Sequence, residues 1–265
     1  MAFLDQYGPW AVIAGASEGT GAAFARQIAA QGVQPILIGR RQDALRELAD
    51  AIQHEFGVES LPIAVDLTAS DAFETIVAAI GAREIGLFVA NAGADLNGSE
   101  FLDAPLDAWM GLAELNVLTP LKLCHQFGRS MRTRGRGGII LLGTGVSYGG
   151  MKSLAVYSGA KSFLLGFGES LWSELRPHGV HVLNLMLGRT DTPAFRRALA
   201  AKGLPLPAGL AEASEVARVG LERLPLGPVY NWGAADDQPG FAPTSADERR
   251  ARIARLEEAG KAVMA

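Results

Sequence analysis

Cysteine is almost absent: Cys124 is the single thiol in a chain of 265 residues. One thiol excludes an intramolecular disulfide and suits a reducing compartment such as the cytoplasm. A dominant charge is missing too. Lys and Arg number 24 against 28 Asp and Glu, a net charge of −4, which leaves no basic field for nucleic acid. No apolar run approaches the roughly 18 residues of a membrane span. The start, Met1-Ala2-Phe3-Leu4-Asp5, has neither the charged segment nor the apolar stretch of a signal peptide. His54, His125, His178 and His181 stand at no metal-ligand spacing. The expectation is a soluble cytoplasmic protein without metal, nucleic-acid or membrane partners.

What the chain does contain is material for one core, since 49% of residues are hydrophobic and 20% charged. Cys124 sits among Leu121, Leu123 and Phe127, the setting of a core thiol rather than a nucleophile. Short apolar runs at 10–14, 35–38, 61–65, 87–90, 139–142 and 180–186 alternate with stretches of helical period. That alternation predicts a Rossmann-like, doubly wound α/β fold with a mainly parallel sheet and helices on both faces. Residues 42–55 place Leu45, Leu48 and Ile52 on one helical stripe, and 162–175 is a second helix stopped by Arg176-Pro177-His178-Gly179. The whole chain, 1–265, reads as one domain. Two segments depart from the pattern: residues 190–210 mix apolar side chains with glycine and proline as a substrate lid would, and 226–265 extend past the last strand. In that extension, Ser245-Ala246-Asp247-Glu248 has the capping-box pattern that opens a helix, with Ile253 and Leu256 on one side.

Gly15-Ala16-Ser17-Glu18-Gly19-Thr20-Gly21 follows the first strand and opens the helix at 22–30. Glycines there let the backbone turn sharply and approach a pyrophosphate held at a helix N-terminus. Ser17 and Glu18 complete the loop. After the second strand an acidic residue would bind the adenosine ribose; Gly39-Arg40-Arg41 stands there instead. Forked guanidiniums suit a 2′-phosphate, so NADP(H) is expected, with Arg40 preferred and Arg41 open to a solvated role. Asp66-Leu67, after the third strand, can lie along the adenine, or Asp66 can cap the following helix.

Tyr157 and Lys161 carry the chemistry. They lie one helical turn apart, and an ammonium on the same face draws a phenol, ordinarily ionising near pH ~10, toward the working range. Such a tyrosine can exchange a proton with a ketone or alcohol oxygen while a nicotinamide moves hydride. The loops at residues 94–98, 146–151 and 190–206 should wall the substrate. Tyr148, Met151 and Phe195 would supply an apolar pocket, with ordinary loop packing as the alternative.

Together these residues resemble the short-chain dehydrogenase/reductases over nearly the whole chain. The resemblance covers Gly15, Gly19 and Gly21, Asn91-Ala92-Gly93, Asn116, Tyr157 with Lys161, and Leu187-Gly188-Arg189-Thr190-Asp191-Thr192. It implies that Asn91 and Gly93 brace the cofactor pocket and that Gly188, Thr190 and Thr192 face the nicotinamide. It further implies that Lys161 holds the ribose hydroxyls, that Asn116 links Lys161 to water, and that subunits pair as a homodimer or homotetramer. Thirteen residues before the tyrosine, where the family has serine, stands Thr144, whose hydroxyl can serve equally; Ser147 competes for that role. A narrower similarity to bacterial NADP-dependent 7β-hydroxysteroid dehydrogenases lies in Tyr7-Gly8-Pro9-Trp10, the glycine loop, Gly39-Arg40-Arg41, Leu187-Gly188 and the long tail. The resemblance implies an NADP(H)-dependent oxidoreductase interconverting a small-molecule ketone and a secondary alcohol, on a hydroxysteroid or another bulky apolar carbonyl. A nucleotide-binding sensor or scaffold, and a dehydratase or epimerase on the same fold, remain as alternatives.

Overall fold

The structure, a computed structural model, describes residues 2–94, 98–235, 238, 245–251 and 254. After a short helix α1 (Phe3–Tyr7), strands and helices alternate: β1 (Trp10–Ala14), α2 (Gly19–Ala29), β2 (Gln34–Gly39), α3 (Gln42–Phe56), β3 (Leu61–Ala64), α4 (Ala72–Ile80) and β4 (Ile85–Ala90). Then come α5 (Leu106–Ala113), a π-helical turn (Glu114–Leu118), α6 (Thr119–Arg134), β5 (Gly137–Thr144), α7 (Ala155–Leu175) and β6 (Val180–Leu187). The remainder comprises β7 (Thr190–Asp191), α8 (Pro193–Ala201), β8 (Ala211–Glu212), α9 (Ala213–Arg223) and β9 (Val229–Asn231).

Seven strands pair in parallel in the order β3-β2-β1-β4-β5-β6-β9. The central strands β1 and β4 are buried along their whole length because helices cover both faces there, whereas edge strand β3 is partly open to water. One core layer lies under α2, α3 and α9, with Phe24, Leu45, Ile52 and Val216 packed on Ile13 and Leu37. The other lies under α4 and α6, with Ile76, Leu123, Phe127 and Met131 on Val12, Ile38 and Phe88. Cys124 belongs to that second layer, and burial pushes its thiol pKa up. Strand order reverses between β1 and β4, which opens a crevice at the carboxyl ends of these strands.

The Leu45–Leu48–Ile52 stripe of α3 is buried as its spacing requires. Other elements differ from the sequence expectation. The catalytic-region helix begins at Ala155, seven residues before the start read from its apolar pattern. Val229–Asn231, within the extension expected past the last strand, adds a seventh strand on β6. Residues 190–210, expected as a substrate lid, hold strand β7 and helix α8, and β7 pairs with β8 just beyond them. Residues 246–251 are helical, while Ile253 and Leu256 of the expected tail stripe lie outside the described residues. Among the described residues no helix is long and apolar enough to cross a membrane.

Candidate active site

Three glycines shape the nucleotide end. Gly15 turns at φ +83 and Gly19 at φ +58, backbone that a side chain would strain. A Cβ on Gly21 would sit 2.0 Å from the Gly15 carbonyl oxygen, so the first turn of α2 packs directly on the loop. Asn91, just past β4, donates from Nδ2 to that same oxygen at 2.7 Å and so locks the loop to the centre of the sheet. Glu18 is the N-cap of α2, yet its side chain makes no capping bond. The first-turn N–H groups therefore keep the positive end of the helix for an anion.

Glu18 is engaged elsewhere. Both Arg197 Nη atoms of helix α8 grip its carboxylate, one at 3.0 Å, and Arg41 Nη2 lies 2.8 Å away. Arg41 also donates to Ser17 Oγ at 3.1 Å. These guanidiniums, Arg197 first, hold the Glu18 carboxyl below the usual carboxylate range. Arg40 is exposed. Asp66 accepts from Thr68 N at 3.0 Å and Thr68 Oγ1 at 2.8 Å, which keeps it ionised with help from the Arg40 charge. Its carboxylate thus closes a local turn at residues 66–68 and does not cap α4, whose N-cap is Asp71. Leu67 is buried, and its carbonyl accepts from Thr119 Oγ1 at 2.9 Å.

The reactive end is built by α7, β5 and the π-turn. Tyr157 and Lys161 share one face of α7, with Lys161 Nζ 5.7 Å from the phenol ring centroid. Lys161 is buried and donates to the Leu142 carbonyl at 2.9 Å, two residues before Thr144. Burial lowers its pKa from 10.5 to about 8. Asn116 is fully buried in the π-turn, and its Nδ2 donates to Leu112 O at 3.0 Å. A single extra residue in the turn rotates such a side chain off the regular helical register, a device common at functional sites. Its Oδ1 has no hydrogen-bond partner among the described residues. Gly93 (φ +139) closes the group: a Cβ there would meet Asn116 Oδ1 at 2.2 Å and Lys161 Nζ at 3.1 Å. Gly93, Asn116, Lys161 and Tyr157 are thus brought together.

Thr144 ends β5, half-buried and extended, in register with Leu187 of β6. Ser147 lies in the 3₁₀ turn Gly145–Tyr148, its Oγ buried with no partner among the described residues. Tyr148 is half-buried and donates to Asn231 Oδ1 at 3.0 Å. Met151 is exposed and Phe195 half-buried on α8. Thr192 caps α8, accepting from Phe195 N at 3.2 Å, and its side chain abuts Gly19. Thr190 Oγ1 is buried without a partner among the described residues. Gly188 lies in the exposed link between β6 and β7. Of the wall at residues 94–98, residues 95–97 lie outside the described set. No group of three or more His, Cys, Asp or Glu among the described residues could hold a metal ion. Arg197 and the Leu142 carbonyl escaped the sequence reading, since a lone arginine and a backbone oxygen carry no motif.

The glycine cradle, the uncapped start of α2 and the orphaned oxygens of Asn116 and Thr190 fit a dinucleotide running from Arg41 to Lys161. This is the site of a dinucleotide-dependent oxidoreductase, and the chain belongs to the short-chain dehydrogenase family, whose model matches residues 9–203. It is 31% identical over 195 residues to a 7β-hydroxysteroid dehydrogenase of Collinsella aerofaciens, covering 74% of each chain. A solved structure described for 7β-hydroxysteroid dehydrogenase stereoselectivity superposes with TM-score 0.80 at 26% identity, covering 96% of this chain and 100% of the other. A short-chain dehydrogenase from Sphingobium yanoikuyae in complex with NADPH gives TM-score 0.76 at 25% identity, over 97% and 95% of the two chains.

Proposed function

We propose that this oxidoreductase uses NADP(H) to interconvert a ketone and a secondary alcohol, with a bulky apolar substrate such as a hydroxysteroid. The convergence of Tyr157, Lys161, Asn116 and Gly93 carries the reading. Arg40 and Arg41 would hold the 2′-phosphate, Asp66 and Leu67 the adenine side, and Gly15, Ser17, Gly19 and Gly21 the pyrophosphate. Asn91 and Gly93 brace the pocket, and Lys161, Gly188, Thr190 and Thr192 serve the nicotinamide end. The similarity to an NADPH complex supports the phosphate assignment beside the two arginines. A bound reduced nicotinamide would supply hydride to the carbonyl carbon.

The protein supplies the proton. Tyr157 gives its phenolic hydrogen to the ketone oxygen as that oxygen becomes an alkoxide, with Thr144 donating a second bond beside it. Lys161 stabilises the phenolate left behind, and Asn116 Oδ1 offers a lone pair to the water that restores the proton. In oxidation the same groups run backwards, with Tyr157 as base. The similarity to 7β-hydroxysteroid dehydrogenases supports a bulky alicyclic substrate, and the family suggests a homodimer or homotetramer in the cytoplasm.

Positioned acid–base help is worth ~10²–10⁴ in rate. Tyr157→Phe should therefore lose nearly all ketone-dependent NADPH consumption while still quenching on NADPH titration. Turnover close to wild type in that variant refutes the assignment. A sensor would bind NADPH without consuming it, and a dehydratase or epimerase would turn over with no net cofactor use.

A further inference from the structure

A buried ion pair joins the C-terminal segment to the helix that carries Tyr157. Ser245 starts that segment with a closed capping box: its Oγ accepts from Glu248 N at 3.2 Å, and the Glu248 carboxylate accepts from Ser245 N at 2.8 Å. Arg249 follows, buried, and donates from Nε to Glu169 Oε1 of α7 at 2.6 Å. The side chains of this pair are only 10% and 8% exposed. The Arg249 guanidinium also lies over the Tyr148 ring, 5.3 Å from its centroid. Tyr148 in turn donates to Asn231 Oδ1 at the end of β9, at 3.0 Å.

Holding a tail in place does not call for such a pair. Desolvation offsets much of the attraction between buried charges, and apolar residues of similar volume often serve as well. Arginine adds direction, because its planar cation can cover an aromatic face while its edge grips a carboxylate. The ring it covers stands in the turn directly after Thr144. Ser147 of that turn is tied to α7 as well, since Ser162 Oγ donates to its carbonyl at 2.8 Å. The 145–148 turn is therefore held from one side by α7 and from the other by the C-terminal segment.

We propose that Arg249 is a positioning residue: paired with Glu169 and seated on Tyr148, it fixes the 145–148 turn and so sets which ketones fit beside Thr144 and Tyr157. The proposal deepens the reductase reading above and rests on it. An arginine that only secured the tail would affect every substrate alike. One that fixes the turn affects large substrates through KM and leaves small ones unchanged.

Full-length Arg249→Met, Arg249→Lys and the double variant Arg249→Met with Glu169→Gln test this. The double variant leaves no buried carboxylate unpaired, so its fold can be checked by thermal melting. In it, KM for a fused-ring ketone should rise about tenfold, the scale of one desolvated cation–aromatic contact. A small cyclic ketone should keep its kcat and KM, and NADPH affinity, read by nicotinamide fluorescence, should hold. Arg249→Lys keeps the charge without the planar fork, so its fused-ring KM should stay raised as well. Amide hydrogen exchange in residues 145–148 should quicken by a similar factor in the double variant and in Arg249→Lys. Wild-type selectivity and exchange in the double variant overturn the proposal. A uniform loss on all ketones in step with melting temperature overturns it equally. If the wild-type protein reduces no ketone, the reductase reading fails by itself, and exchange at the turn still decides whether Arg249 holds it.

Discussion

Gly93→Ala puts the arrangement of the reactive end under a graded strain. The residue sits at φ +139, where a Cβ is disfavoured by ~1–3 kcal/mol. The added carbon would lie 2.2 Å from Asn116 Oδ1 and 3.1 Å from Lys161 Nζ. Carbon–oxygen contacts settle near ~3.3 Å, so about 1 Å of movement is needed. Asn116 cannot swing away cheaply: it is fully buried and its Nδ2 is committed to Leu112 O at 3.0 Å. Displacing it breaks that bond or pushes the ammonium off the Leu142 carbonyl. Strain and overpacking together should cost ~2–5 kcal/mol of stability. A misplacement of about 1 Å at the proton-relay end should lower kcat by about 10². Purified variant and parent are compared by thermal unfolding and by the rate of NADPH loss with one ketone. Parental kcat and melting temperature in the variant refute the described closeness of residues 93, 116 and 161.

Four further outcomes follow from the structure. Because burial brings Lys161 down to about 8, its charge is present below that pH and lost above it. Reductive kcat should thus fall as pH rises through about 8, and a flat profile well beyond it removes the ammonium's role. By linkage, the unfolded chain keeps a proton between about 8 and 10.5 that the folded one has released, so Lys161 makes the fold gain stability with pH across that window; a Lys161→Met melt series should lack this slope. Thr144→Ala should cost ~10²–10³ in kcat and Ser147→Ala little, with the reverse result moving the substrate-oxygen contact to Ser147. Gly168→Ala would set a Cβ 2.4 Å from Nδ2 of buried Asn184, which donates to Pro228 O at 3.2 Å where β9 begins. Overpacking of ~1–3 kcal/mol should lower Tm by roughly 3–10 °C, and an unchanged melt contradicts the tight α7–β6 contact.

Much of this architecture was legible in the residues because it depends on local period and local chemistry. The strands that build the switch point, the α3 stripe and the Ser245–Glu248 capping box all follow from side chains a few positions apart. The failures share one cause, dependence on distant partners. β9 is three residues long and is a strand only because β6 offers it an edge. The start of α7 is hidden because Tyr157, Ser158 and Gly159 interrupt the apolar stripe of its first two turns. The π-turn around Asn116 changes backbone bonding with no change in composition. Arg197 meets Glu18 across 179 positions of sequence, and Arg249 meets Glu169 across 80.

The sealed state of Cys124 has a practical consequence. With the chain's native thiol enclosed by Leu123, Phe127 and the sheet, and its ionisation suppressed, alkylating dyes find nothing to attack in the folded protein. A cysteine introduced on the outer side of α8 would therefore take up label alone. One fluorophore there, quenched or released if Arg197 lets go of Glu18, would report that change without any background from the rest of the molecule.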